Sequence, residues 1–192
     1  MKFTIITPSL QRQSLRKTCS SIDEQSFQDF EHIVQIDCED LDAGMMFSLA
    51  HPNRRFFQCD HPHKNGGNTC RRMALEKAKG NWIYFLDDDN YLADSKVLED
   101  IAFALPQNYA WALFPINRLG SRFYTDPPRS CHVDTLNVML RRDIARWPDT
   151  DAYGTDGILV DGLMAEGIPY APFPDFRPIA VLPKISFCKE DA

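Results

Sequence analysis

Three consecutive aspartates, Asp87-Asp88-Asp89, end the apolar and aromatic run Trp82-Ile83-Tyr84-Phe85-Leu86. Carboxylates this close repel one another more strongly as water is excluded, so an acidic triplet at the tip of a buried strand calls for a counter-charge. A divalent cation is the natural one. In an extended chain side chains alternate faces, which predicts Asp87 and Asp89 on one side as two hard oxygen ligands and Asp88 on the other. Arg71 and Arg72 fall in the first turns of an expected helix, where a cation gains nothing from the helix dipole. They are either solvated surface charges or aimed at an anion. His61 and His63 have the spacing to share one face as metal ligands, but His61-Pro62-His63-Lys64-Asn65-Gly66-Gly67 reads first as a polar loop.

Composition narrows the class of protein that can carry such a site. A 192-residue chain, 44% hydrophobic and 25% charged, is ordinary for one globular domain able to bury a core. A single domain is expected over 1–192. The formal charge of -6 argues against a general nucleic-acid binder, which needs a basic face. No long apolar run reads as a transmembrane segment, and Met1-Lys2 leads straight into Phe3-Thr4-Ile5-Ile6-Thr7, so a soluble, cytoplasmic protein is expected. Cys19, Cys38, Cys59, Cys70, Cys131 and Cys188 are dispersed, without a C-x-x-C pair, and free thiols are expected.

The elements that position the acids can be followed along the chain. Phe3 to Thr7 is a β-branched, apolar run halted by Pro8, a first buried strand delivering Thr7-Pro8-Ser9 to a sheet edge. Leu15, Cys19 and Ile22 recur at helical spacing within Ser14 to Gln25, with Ser14 as a candidate N-cap. Phe30 to Asp37 is a second strand that again ends in acid, completing a βαβ unit. Leu41 to Ala50 gives no assignment. Arg55 to Gln58 reads as a third strand, and Asn68 as the N-cap of a helix running to Lys79 and stopped by Gly80. Asp94 or Ser95 caps a helix ended by Pro106, and Tyr109 to Ile116 reads as one strand. Leu119 to Ser130 reads as a long irregular excursion of the kind that often binds ligands, Val133 to Leu140 as a strand, and Arg141 to Trp147 as a short helix. Thr155-Asp156 opens a helix closed by Gly167, and Ile179 to Leu182 is a last apolar run. The fold class expected is α/β, a mostly parallel mixed sheet flanked by helices.

Four blocks in this order resemble the nucleotide-diphospho-sugar transferases of the GT-A fold, in particular the family 2 inverting glycosyltransferases. The first is Ile5-Ile6-Thr7-Pro8-Ser9 with Ser21-Ile22-Asp23-Glu24-Gln25-Ser26-Phe27, and the second is Phe30-Glu31-His32-Ile33-Val34-Gln35-Ile36-Asp37. The third and most specific runs from Asn68-Thr69-Cys70-Arg71-Arg72-Met73-Ala74 through Ala78-Lys79-Gly80 to Phe85-Leu86-Asp87-Asp88-Asp89. The fourth is Trp147, Asp156 and Gly167. Two departures stand out: Cys38-Glu39-Asp40 follows Asp37 where the family has Gly, Ser and Asp, and Thr155 stands where many members have Glu.

The resemblance implies a metal-dependent transfer of sugar from a UDP- or GDP-sugar to an acceptor hydroxyl, as on a glycan. It implies Mn²⁺ or Mg²⁺ held by Asp89 with Asp87, and Asp87 and Asp88 serving the ribose and the ion. It further implies Thr7, Pro8, Ser9 and Asp37 around the nucleoside, Arg71 at the base or phosphates, and Asp156 as general base. Residues to about 95 would bind donor and the remainder acceptor. Asp161 is an alternative base, Asp156 is equally suited to helix capping, and His132 is a candidate second ligand or acceptor contact. Rival readings are a nucleotidyltransferase, against which Thr7-Pro8-Ser9-Leu10-Gln11-Arg12 lacks the glycines of a phosphate loop, a non-catalytic nucleotide-sugar-binding module, and a generic α/β domain whose acidic run is a solvated turn.

Overall fold

A computed structural model describes residues 1–183. The chain opens with β1 (Phe3–Ser9), α1 (Leu15–Asp23) and β2 (Phe30–Ile36). Every residue of both strands is buried, as expected of strands covered on both faces. α1 buries Leu15, Thr18, Cys19 and Ile22 on one stripe, while Ser14 precedes it without making a side-chain capping bond. The unassigned segment forms α2 (Ala43–Ser48), started by Asp42, whose carboxylate accepts a hydrogen bond from the Met45 amide at 2.8 Å. β3 (Arg54–Gln58), α3 (Asn68–Leu75) and β4 (Trp82–Phe85) follow.

α3 is shorter than its sequence pattern, and Gly67 takes the N-cap place with φ 79°. Asn68 is therefore inside the first turn, where its side chain serves tertiary contacts. Gly80 lies where the chain passes over β1: a Cβ there would stand 2.3 Å from the Phe3 carbonyl carbon. Its amide donates to Thr4 Oγ1 at 2.8 Å, and that hydroxyl donates to Glu31 at 2.7 Å.

Beyond β4 come β5 (Tyr91–Leu92), α4 (Val97–Ala104), β6 (Trp111–Leu113), β7 (Ile116–Arg118), β8 (Ser121–Phe123), a 3₁₀ turn (Thr135–Asn137), β9 (Val138–Arg141), α5 (Thr155–Ala165), β10 (Tyr170–Pro172) and β11 (Ala180–Leu182). Lys96 occupies the N-cap place of α4, with Asp94 accepting from its amide at 2.8 Å. Three elements depart from the sequence expectation. The single strand expected over Tyr109 to Ile116 is two strands in two sheets, divided around Pro115, which has no amide to continue a ladder. The strand expected from Val133 starts only at Val138, because Asp134 and Asn137 form a reciprocal capping box around the 3₁₀ turn. No helix forms over 141–147: the Arg141 amide stays paired to the Ala110 carbonyl at 2.8 Å, and the segment makes isolated turns before Pro148. The irregular excursion contains β8, paired antiparallel to β7.

Among the described residues, the main sheet has seven strands in the order β10-β6-β9-β4-β1-β2-β3, and a smaller one the order β5-β11-β7-β8. β1 is parallel to both β2 and β4, and β9 runs antiparallel to β4 and β6. Because the chain leaves β1 on one side for β2 and β3 and returns on the other for β4, the topology switches beside β1. A crevice opens outside the strand ends at such a point. Trp82 and Tyr84 pack into one core cluster with Phe3, Ile5 and α4, while Ile83 and Phe85 pack into the other with α3 and α5 residues. β4 is thus gripped on both faces, which sets where its acidic end emerges.

Candidate active site

β4 stops at Phe85, and the acids lie in a turn closed by the Asn90 amide on the Asp87 carbonyl at 3.1 Å. Alternation along an extended strand therefore does not sort the three side chains; their partners do. Asp87 is paired with Arg71. Asp88 is buried and accepts from Ser9 Oγ at 2.8 Å and the Leu10 amide at 3.1 Å, joining the ends of β4 and β1. Asp89 meets Arg12 Nη1 at 3.2 Å, and the same nitrogen lies 3.7 Å from Asp88.

Arg71 is held on three sides. It extends from α3, donates to the Gly66 carbonyl at 2.9 Å, and stacks on Trp147 with its guanidinium carbon 4.6 Å from the ring centre. The Trp147 indole donates to Asn68 Oδ1 at 2.9 Å, and Asn68 Nδ2 donates to the Thr150 carbonyl at 2.9 Å. Asn68, Arg71 and Trp147 form one platform beneath Asp87. Gly67 can pass over Pro8 only without a side chain, since a Cβ would come within 2.7 Å of Pro8 Cβ.

These groups surround a cavity of about 300 Å³ lined by Pro8, Ser9, Asp37, Arg71 and Asp87 to Asp89, with Leu10, Arg12, Lys64, Gly66 and Gly67 completing the wall. Asp37 accepts from the amides of His63 at 2.8 Å and Lys64 at 3.1 Å, so it also anchors that loop. Thr7 is not in the lining. Its buried hydroxyl lies 2.9 Å from His32 Nε2, between β1 and β2. Arg12, a lone arginine beyond the first strand, carries no local sequence signal, and only folding brings it to Asp88 and Asp89.

Asp156 and Asp134 are not in the cavity lining, but both lie near enough to Asp87 for its charge to act on them. Asp156 lies in the first turn of α5 and accepts from the Gly157 amide at 2.9 Å. Burial raises its pKa, the Gly157 amide and Arg71 oppose the rise, and Asp87 adds to it. Asp134, missed in the sequence, is pushed up to about 6 by burial, with the charges of Asp87 and Asp156 adding and the Leu136 amide opposing. Its capping-box residues were the signal available. Burial also raises Asp88, against Arg12 and Ser9, and raises Asp89, where the neighbouring Asp87 adds to the effect. Asp161 is engaged elsewhere: it accepts from the amide and hydroxyl of Ser130. His132 is exposed and turned to the Ser130 carbonyl at 3.2 Å.

Comparison with known proteins places this arrangement. The profile of glycosyl transferase family 2 matches residues 4–158, and the chain belongs to that family. It is 32% identical over 94 residues to GalNAc(5)-diNAcBac-PP-undecaprenol beta-1,3-glucosyltransferase of Campylobacter jejuni, covering 47% of this chain and 30% of that one. A Bacillus subtilis glycosyltransferase provisionally assigned to teichuronic acid biosynthesis is 26% identical over 156 residues, covering 73% and 62%. Among solved structures, S. aureus TarS 1-349 superposes with a TM-score of 0.76 at 17% identity, over 95% of this chain and 60% of that one. A mannosyltransferase from Pyrobaculum calidifontis, solved with GDP-Man and Mn²⁺, has a TM-score of 0.76 at 16% identity, over 97% and 58%. The GT-A fold is thus shared, and the chain spans from about a third to three fifths of the length of the proteins it matches. Among the described residues, no helix is long and apolar enough to cross a membrane.

Proposed function

We propose that the protein transfers a sugar from a nucleotide-diphospho-sugar to an acceptor hydroxyl with inversion, aided by a divalent cation. One observation carries this reading: the acids ending β4 line the cavity at the switch point beside β1, together with Arg71, which pairs with Asp87. Pro8, Ser9 and Asp37 line the nucleoside side, and Thr7 supports them from the layer beneath. The donor set Asp87 and Asp89 is all oxygen, and burial, with Asp87 adding and Arg12 opposing, raises the Asp89 pKa, so a hard cation would relieve the cost of its charge. These residues fit Mn²⁺ or Mg²⁺, which when bound supplies Lewis-acid neutralisation of the diphosphate.

The chain's own residues do the rest. Arg71, seated over the Trp147 ring, presents fixed positive charge to the donor side. Asp156 accepts the proton of the acceptor hydroxyl as its oxygen bonds to the anomeric carbon. The bond from that carbon to the diphosphate breaks on the opposite face, and its electron pair leaves with the nucleoside diphosphate. The raised pKa of Asp156 makes it a better proton acceptor than an exposed aspartate. Free thiols at Cys19, Cys38, Cys59, Cys70 and Cys131 support a reducing, cytoplasmic setting.

Thermal melts with UDP, GDP, CMP and their sugars, with and without Mn²⁺, test donor binding. One nucleotide is expected to raise the midpoint in a metal-dependent way, and no shift with any of them overturns the reading. Asp89→Asn is expected to remove the metal dependence. Asp156→Asn is expected to keep the donor-induced shift and lower transfer by at least about 100-fold; transfer at the normal rate would exclude Asp156 as the base.

A further inference from the structure

A second set of metal-ligand side chains stands at the ends of β2 and β3. Asp37, Cys59 and His63 bring a carboxylate oxygen, a thiol sulfur and a ring nitrogen within 4.8 Å of one another. Asp37 and Cys59 are both buried. His63 Nε2 is shielded from solvent and makes no hydrogen bond, although Asp60 Oδ1 lies 3.5 Å away. A buried imidazole nitrogen without a partner carries a desolvation penalty that a bound cation would remove. Bonds of about 2.0–2.3 Å to a tetrahedral ion place its ligands roughly 3.3–3.8 Å apart, so this trio needs only a small contraction to close on one. Beside it, Cys70 Sγ is 3.5 Å from Cys59 Sγ, and either Cys70 or Asp60 can complete a fourth position.

We propose that Asp37, Cys59 and His63 bind a borderline-soft divalent cation of the Zn²⁺ type. The donor chemistry separates this site from the all-carboxylate pair Asp87 and Asp89: thiolate and imidazole select Zn²⁺ over Mg²⁺ and Mn²⁺. The exchange balances simply. The Cys59 S–H bond breaks, a metal–sulfur bond forms, and the proton passes to the buffer. Burial raises the Cys59 pKa, so a bound ion has to displace that proton. Once bound, the ion would link the ends of β2 and β3 to the loop that continues into Lys64, Gly66 and Gly67 on the cavity wall. The site would thereby stiffen one side of the cavity.

The test uses the full chain, stripped with a chelator and kept in a phosphine reductant, titrated with Zn²⁺ and separately with Co²⁺. One equivalent of each is expected at this site, beyond any taken by Asp87 and Asp89, Co²⁺ with the sulfur-to-cobalt charge-transfer absorption that a carboxylate site does not produce. Cys59→Ser should abolish that absorption, and His63→Gln should weaken Zn²⁺ binding by at least about tenfold. Asp89→Asn should leave the sulfur-to-cobalt absorption unchanged. Circular dichroism checks the folding of each variant, and His63→Gln, a loop substitution, keeps the test decisive if Cys59→Ser does not fold. Absence of stoichiometric binding to the unaltered chain, absorption that survives Cys59→Ser, or undiminished Zn²⁺ affinity in folded His63→Gln overturns the proposal.

Discussion

Asp134 shows how an unremarked side chain acquires weight from its surroundings. Its carboxyl is pushed up to about 6 by burial, with the charges of Asp87 and Asp156 adding. The folded protein thus holds a proton there that the unfolded chain releases near the ordinary aspartate value of about 4. This favours folding fully below that value, and the benefit is lost as pH rises through about 6. Asp134→Asn keeps an oxygen for the Leu136 amide and removes the charge. In chelator it should stabilise the protein at pH 8 by on the order of 1–3 kcal/mol, with the difference vanishing below about pH 4; urea unfolding at several pH values measures it. A pH-independent difference would place the effect elsewhere. Asp87 to Asp89, Ser9, Asp37 and Arg71 were legible because each sits beside a local signal, a strand end or a helix start. Arg12 and Asp134 were not, because their meaning lies in contacts 77 and 47 residues away along the chain, to Asp89 and Asp87 respectively.

Elements were read well where both periodicity and a stop were present, as in β1, α1 and β2, and poorly where neighbours override them. Val133 to Val138 has strand-like residues, yet the capping box of Asp134 and Asn137 satisfies the backbone locally and delays β9. Residues 141–147 have helical composition, but the pairing of Arg141 with Ala110 and the nearness of Pro148 leave no room for a nucleus. Gly80 marks the crossing of the α3–β4 connection over β1. Gly80→Ala would drive a Cβ to 2.4 Å from the Thr4 amide nitrogen and should cost on the order of 3 kcal/mol or more, read as a fall in the urea midpoint. Asn68→Ala leaves the Trp147 indole without its acceptor and should cost about 1–3 kcal/mol. Because Trp147 carries Arg71, the same variant should also reduce the nucleotide-induced thermal shift, whereas Gly80→Ala should reduce stability alone.

At the scale of the molecule, a largely buried network ties β1, β2 and β3 to α1. Arg54 donates from Nε to His32 Nδ1 at 2.8 Å and pairs with Asp23, so His32 donates from Nε2 to the Thr7 hydroxyl and remains neutral. Burial, followed by the charge of Arg54, depresses its pKa well below the usual value. The unfolded chain takes up a proton near pH 6.5 that the folded one refuses, so this contribution is full above about 6.5 and declines as pH falls below it. Its sign is opposite to that of Asp134. His32→Gln should flatten the acid side of the stability profile in thermal melts between pH 7 and 5, and an unchanged slope would show that other groups govern it. The amino-acid sequence by itself determined the α/β class, the first βαβ unit, the acidic end of β4 and the family pattern, because hydrophobic period and turn chemistry are local properties. Only the tertiary structure decided the partners of the three aspartates, the platform under Arg71, the split at Pro115 and the meeting of Asp37, Cys59 and His63. Each of those depends on which strand lies beside β1, and strand order follows from the packing of the whole sheet, which local sequence signals do not specify.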